Sequence, residues 1–157
     1  MLFRSPRGHR HPPARPLPSS PGDIAVVLAA AGSSRAAANA AIADVAADWQ
    51  AARGWRAVVP AYAAAAVPTP AEAVTALLRD GAPCVVVSTY LLAPGVFADQ
   101  VGASVLQAGA AAVSGALGAA PEVAEVILRR YAEVIAASGR MDAARPGDAY
   151  PRRGSCQ

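Results

Sequence analysis

Residues 26–35, VVLAAAGSSR, form an unbroken apolar run that stops at a Gly-Ser-Ser turn. An apolar segment this short, rich in β-branched residues and bounded by turn residues, predicts a strand buried on both faces over 24–31. Buried strands of that kind belong to parallel sheets whose crossover helices cover both faces. The rest of the chain carries that pattern. Residues 36–53 place Ile42, Val45, Ala46 and Trp49 at helical spacing, with Asp44 and Asp48 off that face, and Gly54 supplies a stop. A second strand is expected over 55–62. Thr69-Pro70-Ala71-Glu72 reads as a capping box with proline at the first helical position. It opens a helix with Val74, Leu77 and Leu78 on its apolar side, and Gly81 ends that helix. Residues 83–92 are the most apolar strand. A helix over 97–107, a short strand over 110–114 and a helix over 121–137 complete the order, the last with Val123, Ile127, Tyr131 and Val134 along one side.

The order βαβαβαβα predicts an α/β fold: a single doubly wound parallel sheet of about four strands. Ligands of such sheets bind beyond the C-terminal ends of the strands. The loops there are 31–35 and 93–98.

Composition narrows the function classes. The chain has 157 residues, enough for one domain with a substantial core. All fourteen basic residues are arginine, and the net charge is +3. Residues 1–22 hold Arg4, Arg7, Arg10 and Arg15 and no acid, and 138–157 hold four arginines against Asp142 and Asp148. The intervening 23–137 carry six arginines against nine acids, a net of −3. A nucleic-acid binder needs a basic face on its folded body, and this body has none, so no nucleic-acid partner is expected. The domain boundaries expected are therefore a disordered Pro/Arg-rich tail over 1–22, an α/β domain over 23–137 and a second disordered tail over 138–157. The N-terminal residues hold no continuous apolar stretch of a secretory signal, and nowhere do eighteen apolar residues run free of Gly, Pro and charge, so the expectation is a cytoplasmic protein without a membrane partner. Cys84 lies in an apolar run and reads as a small buried hydrophobe; Cys156 sits near the C-terminus. Their spacing supports neither a disulfide framework nor a structural zinc site.

Two family resemblances attach to these residues. VVLAAAGSSR is similar to the opening signature of the sugar-phosphate and molybdopterin nucleotidyltransferases, in which a Gly-rich loop wraps a triphosphate and a nearby lysine pairs with it. Here an extra alanine precedes Gly32, and the chain contains no lysine. The second resemblance spans about 110 residues. Ala31-Gly32-Ser33-Ser34-Arg35, then Tyr62 with Pro68-Thr69-Pro70, then Ser88-Thr89-Tyr90-Leu91-Leu92-Ala93-Pro94-Gly95-Val96-Phe97-Ala98-Asp99, then Leu117-Gly118 with Pro121 and Arg129-Arg130-Tyr131 follow the order of the sirohydrochlorin chelatases. These are the small class II cobalto- and ferrochelatases of the CbiX and SirB type. The chain resembles in particular the C-terminal half of a tandem actinobacterial member.

That resemblance implies a lyase of siroheme and cobalamin biosynthesis that inserts cobalt, iron or nickel into a tetrapyrrole. The metal is then a substrate, and no resident cofactor is expected. It also implies two facing histidines that bind the metal and accept the pyrrole protons, a task suited to neutral imidazole. Ala31 occupies the first position, and the second falls within Val96, Phe97 and Ala98. No catalytic residue therefore carries over, and a degenerate or non-catalytic half is expected. Its partner would be a histidine-bearing chelatase half or a second copy of the chain. A purely structural dimerisation domain is the further alternative.

Substrate-binding candidates are Gly32, Ser33, Ser34, Arg35, Tyr90, Pro94 and Gly95. At 32–34 a helix start offers amides to a substrate carboxylate, or Ser33 or Ser34 simply caps the helix. Arg35 either pairs with a carboxylate or is solvated. Asp99 is the candidate metal ligand, or it complements the helix field in a first turn. Tyr62 and Tyr90 either line the macrocycle face or belong to the core. His9 and His11, in the tail, are not expected to form a physiological metal site.

Overall fold

The computed structural model describes residues 17–143. Of the expected tails over 1–22 and 138–157, residues 1–16 and 144–157, with His9, His11 and Cys156, lie outside the described residues. A short 3-10 turn (Pro21–Asp23) leads into β1 (Ile24–Ala30), followed by α1 (Ala36–Arg53), β2 (Ala57–Tyr62), α2 (Pro70–Arg79), β3 (Cys84–Tyr90), α3 (Val96–Gln107), β4 (Ala112–Val113) and α4 (Pro121–Ala143). The four strands form one parallel sheet in the order β2-β1-β3-β4. The described chain divides into two compact units between Gly118 and Ala119, and everything from β1 to β4 belongs to the first.

All seven residues of β1 are buried. Alternation sends Ala25, Val27 and Ala29 to one face, where Ala73 and Val74 of α2 and Val101 and Val105 of α3 cover them. Ile24, Val26 and Leu28 face the other way, onto Ala46, Ile42 and Trp49 of α1. Val45, expected on the same stripe, is exposed, because it lies at the margin of the α1 face rather than its centre. Cys84 is buried as expected.

The edge strand β2 keeps its outward backbone donors occupied. Val58 N–H donates to Gln50 Oε1 of α1 (2.9 Å), Pro60 has no N–H, and Tyr62 N–H donates to the Pro68 carbonyl (2.9 Å). An edge without free donors resists pairing with another chain.

Helix ends follow local chemistry. Gly54 ends α1 in the left-handed conformation (φ 65°), its N–H bonded to the Gln50 carbonyl. The capping box at α2 forms as read: Thr69 N–H donates to Glu72 Oε2 (2.9 Å) and Glu72 N–H donates to Thr69 Oγ1 (3.4 Å). Most elements differ slightly from expectation at their ends, with β2 starting at Ala57 instead of 55 and β3 ending at Tyr90 instead of 92; β4 and α4 differ most. β4 keeps two residues of the expected five: Ser114 N–H still donates to the Val87 carbonyl of β3, but Thr89 N–H then goes to Ser114 Oγ and the Ser114 carbonyl accepts from the Thr89 hydroxyl, so the backbone ladder stops there. Helix α4 continues to Ala143, past the expected end at 137.

In α4 itself, Arg130 and Glu133 form an exposed i,i+3 ion pair (3.1 Å). Its expected stripe has the right period, yet Ile127, Tyr131 and Val134 are exposed. Periodicity reports which residues share a face; it does not report what covers that face.

The bonds from the Thr69 backbone and then its hydroxyl hold the Glu72 carboxyl below the usual carboxylate range. A depressed folded value means that the charged form stabilises α2 above the unfolded value and that this contribution is lost as pH falls through the folded value. Thr69→Ala is expected to cost about 1 kcal/mol in urea denaturation. Thermal melts from pH 7 downward should show wild type above Glu72→Gln at neutral pH, with the gap closing in acid.

Candidate functional site at the C-terminal edge of the sheet

Register assembles the site. Ala30 at the end of β1 pairs with Tyr62 of β2 on one side and Tyr90 of β3 on the other. The loops 31–35, 63–69 and 91–95 therefore leave the sheet side by side. The first two remain fastened beyond the strands, with Ala63 N–H donating to the Ala30 carbonyl and Ala64 N–H to the Ala31 carbonyl, both at 2.9 Å. This close approach explains Gly32. Its φ is 86°, and a Cβ there would overlap the Ala64 carbonyl oxygen and come within 2.9 Å of Tyr62 Cβ. Ala65 in the second loop also holds a left-handed φ of 59°, a conformation that costs an alanine about 1 kcal/mol.

The Gly-Ser-Ser turn is clamped by Asn39, one turn into α1. Ser33 N–H donates to Asn39 Oδ1 (3.0 Å), and Asn39 Nδ2 donates back to the Ser33 carbonyl (2.8 Å). Tyr62 OH donates to the Asn39 carbonyl (3.0 Å). Neither serine caps the helix. The N-cap residue is Arg35, without a side-chain cap, and Ser33 Oγ instead accepts from Arg35 N–H (3.1 Å) to close the turn. With Ser33 N–H engaged by Asn39, the uncommitted amides at this helix start are those of Ala36 and Ala37, which have no helical acceptor at the first turn.

The remaining candidates spread along the edge. Ala31 is exposed at the end of β1, and Ser34 and Arg35 are exposed beside it. Tyr62 is buried (6% exposed) and acts as a brace for α1, whereas Tyr90 is 40% exposed at the edge. Pro94 and Gly95 are exposed, and Gly95 is the N-cap residue of α3. Asp99 is exposed in the first turn of α3. Among the described residues, no three His, Cys, Asp or Glu side chains cluster in a way that could hold a metal ion.

The edge is apolar. Val67, Tyr90, Leu92, Val96, Phe97 and Leu117 are all exposed there. Its backbone is tied down across β3 and the segment after β4. Thr89, nearly buried, donates its N–H to Ser114 Oγ and its hydroxyl to the Ser114 carbonyl (both 2.9 Å). Leu117 and Gly118 N–H donate to the Leu91 and Leu92 carbonyls (2.9 and 2.8 Å). Beside this edge, between α2 and α3, lies an open cavity of about 300 Å³ lined by Thr69, Pro70, Phe97, Gln100, Val101 and Ser104, among others. Asn39 and Gln100 are the site residues that sequence reading passes over. Asparagine in a first helical turn is a faint signal, since it favours local backbone bonds over helix interiors; Gln100 carries no signal at all.

A doubly wound parallel sheet with three loops converging at its C-terminal edge defines the class: an α/β domain whose site is built on the strand ends. More specifically, the chain belongs to the CbiX family, whose profile matches residues 25–134. A solved structure from Marinobacter aquaeolei VT8, assigned to cobalamin (vitamin B12) biosynthesis as CbiX, has the same fold, with a TM-score of 0.54 at 19% sequence identity. The match covers 71% of this chain and 97% of that one. No curated protein matches the sequence.

Gly32→Ala combines overlap with left-handed strain and is expected to cost about 2–4 kcal/mol. Asn39→Ala leaves the Ser33 amide and carbonyl without partners and is expected to cost about 1–3 kcal/mol. Chemical denaturation of the purified variants checks both.

Proposed function

We propose that the chain is a chelatase-like domain of tetrapyrrole biosynthesis that binds the macrocycle at the C-terminal edge of its sheet and does not itself carry the metal-insertion step. One observation carries this reading. Where the family resemblance expects imidazoles, the chain has Ala31, exposed at the end of β1, and the run Val96, Phe97 and Ala98 at the start of α3. Insertion requires two pyrrole N–H protons to leave as the metal enters. A methyl, isopropyl or phenyl group neither accepts a proton nor coordinates a cation, and neutral imidazole does both.

What the edge retains suits binding. The exposed rings of Tyr90 and Phe97, with Leu92 and Val96, offer a surface for a flat conjugated ligand. Ser34, Arg35 and the first-turn amides of α1 offer donors and positive charge to its carboxylates. The Asn39 clamp holds that loop in shape before any ligand arrives, which lowers the ordering cost of binding. The imidazoles would come from a histidine-bearing chelatase half acting as partner.

The test is absorbance-monitored insertion with purified chain, sirohydrochlorin and Co²⁺ or Fe²⁺. Wild type should perturb the tetrapyrrole spectrum on binding and leave the insertion rate at the protein-free control, while Ala31→His should raise it. A wild-type rate above control would overturn the non-catalytic reading and direct attention to Asp99 as an oxygen ligand. Absence of binding by both proteins would leave a structural role in an assembly.

A further inference from the structure

The open cavity between α2 and α3 lies beside the edge rather than on it, and Phe97 belongs to both. Its ring is exposed at the edge, and it also lines the cavity. A ligand resting on Phe97 therefore reaches the cavity with a side arm. At about 300 Å³ the cavity is at the small end of ligand pockets. It suits an arm with its accompanying water, and a whole macrocycle would not fit.

Its polar groups are unequal. Ser104 Oγ is committed to the Val101 carbonyl (2.8 Å), and Thr69 Oγ1 accepts from Glu72 N–H (3.4 Å). Two acids adjoin lining residues: Glu72 has its carboxylate turned back onto Thr69 N–H (2.9 Å), and Asp99, beside Gln100, is exposed in the first turn of α3 and does not line the cavity. The Gln100 side chain, on an exposed residue, makes no hydrogen bond among the described residues, so its amide is the uncommitted donor. No lining residue is acidic, and Pro70, Phe97 and Val101 supply apolar walls. Methylene groups against apolar walls, ending on an amide donor with no acid among the lining residues, fit an aliphatic carboxylate.

Building on the reading of the edge as a tetrapyrrole site, we propose that this cavity receives one carboxylate-bearing arm of the macrocycle, with the Gln100 side-chain amide as its hydrogen-bond donor. Gln100 then orients the macrocycle on the edge by fixing one of its corners. The residue serves binding geometry and takes no part in proton transfer.

Sirohydrochlorin titrated into the full chain, read by absorbance or fluorescence quenching, tests this. Gln100→Leu should weaken binding about three- to tenfold, the scale of one partly solvated charge-assisted hydrogen bond. Gln100→Glu, which sets a carboxylate against a carboxylate, should weaken it by about tenfold or more, with the loss shrinking at high salt. Gln107→Glu makes the same charge change on the same helix outside the cavity and should leave the affinity within about twofold, since an exposed charge beyond a Debye length is screened. Wild-type affinity in both Gln100 variants, or equal losses in Gln100→Glu and Gln107→Glu, overturns the arm site while the edge reading stands. Failure of wild type itself to bind sirohydrochlorin overturns the edge reading and the arm site with it.

Discussion

The position of β1 governs the rest of the molecule. It is paired on both edges, with β2 and β3, and covered on both faces, by α1 and by α2 with α3. A strand in that place can carry no polar side chain without a partner and no bulk that would hold the helices away, which is why IAVVLAA fits it. Every backbone group inside it is satisfied by the ladder, so the chain becomes free to do anything else only after Ala30. The functional edge begins there because the central strand leaves no other room.

Alanine sets the character of this fold. Ala25, Ala29, Ala61 and Ala73 are all buried, so the α2 and α3 layer approaches the sheet closely with little side-chain volume between them. Small side chains lose little rotamer entropy on burial and also contribute little apolar area each. The few larger anchors, Val27, Val74, Val85 and Val105, carry a correspondingly greater share of the core. At the loops, the continued pairing beyond β1 and β2 brings backbone near backbone. Gly32 against the Ala64 carbonyl is its sharpest instance, and it makes the loop after β1 a fixed piece of the surface.

At the edge the chain combines a tied-down frame with exposed apolar side chains. The turn at 32–34 is held by Asn39 and Tyr62, and the loop after β3 by Thr89, Ser114, Leu117 and Gly118. Such a frame accords with the proposal that the edge holds a ligand, since it fixes the shape of the loops before any ligand arrives. The same division runs through the cavity beside the edge, where hydroxyls are spent on the protein's own backbone and an amide remains.

Much of the frame was legible in the sequence because its signals are local. A β-branched run marks β1, Gly54 marks the end of α1, and Thr69 with Glu72 marks the start of α2; each acts over a few residues and needs no knowledge of the fold. The family could be read from the order of the loop segments. Of the two readings open at 32–34, a cap by Ser33 or Ser34 fails, because a cap and a turn use the same residue types and differ only in which amide is nearest. Tyr62 and Tyr90 look alike in sequence, yet one is buried against α1 and the other faces solvent. The Asn39 clamp, the bond from Tyr62 to Asn39 across 23 residues and that from Thr89 to Ser114 across 25, and the cavity between α2 and α3 are decided by tertiary structure alone. The sequence by itself determined where strands and helices begin and which faces are apolar, since those follow from neighbours along the chain. Only the folded structure decided which loops meet and which polar groups remain uncommitted, since those depend on distances between segments that the chain order does not specify.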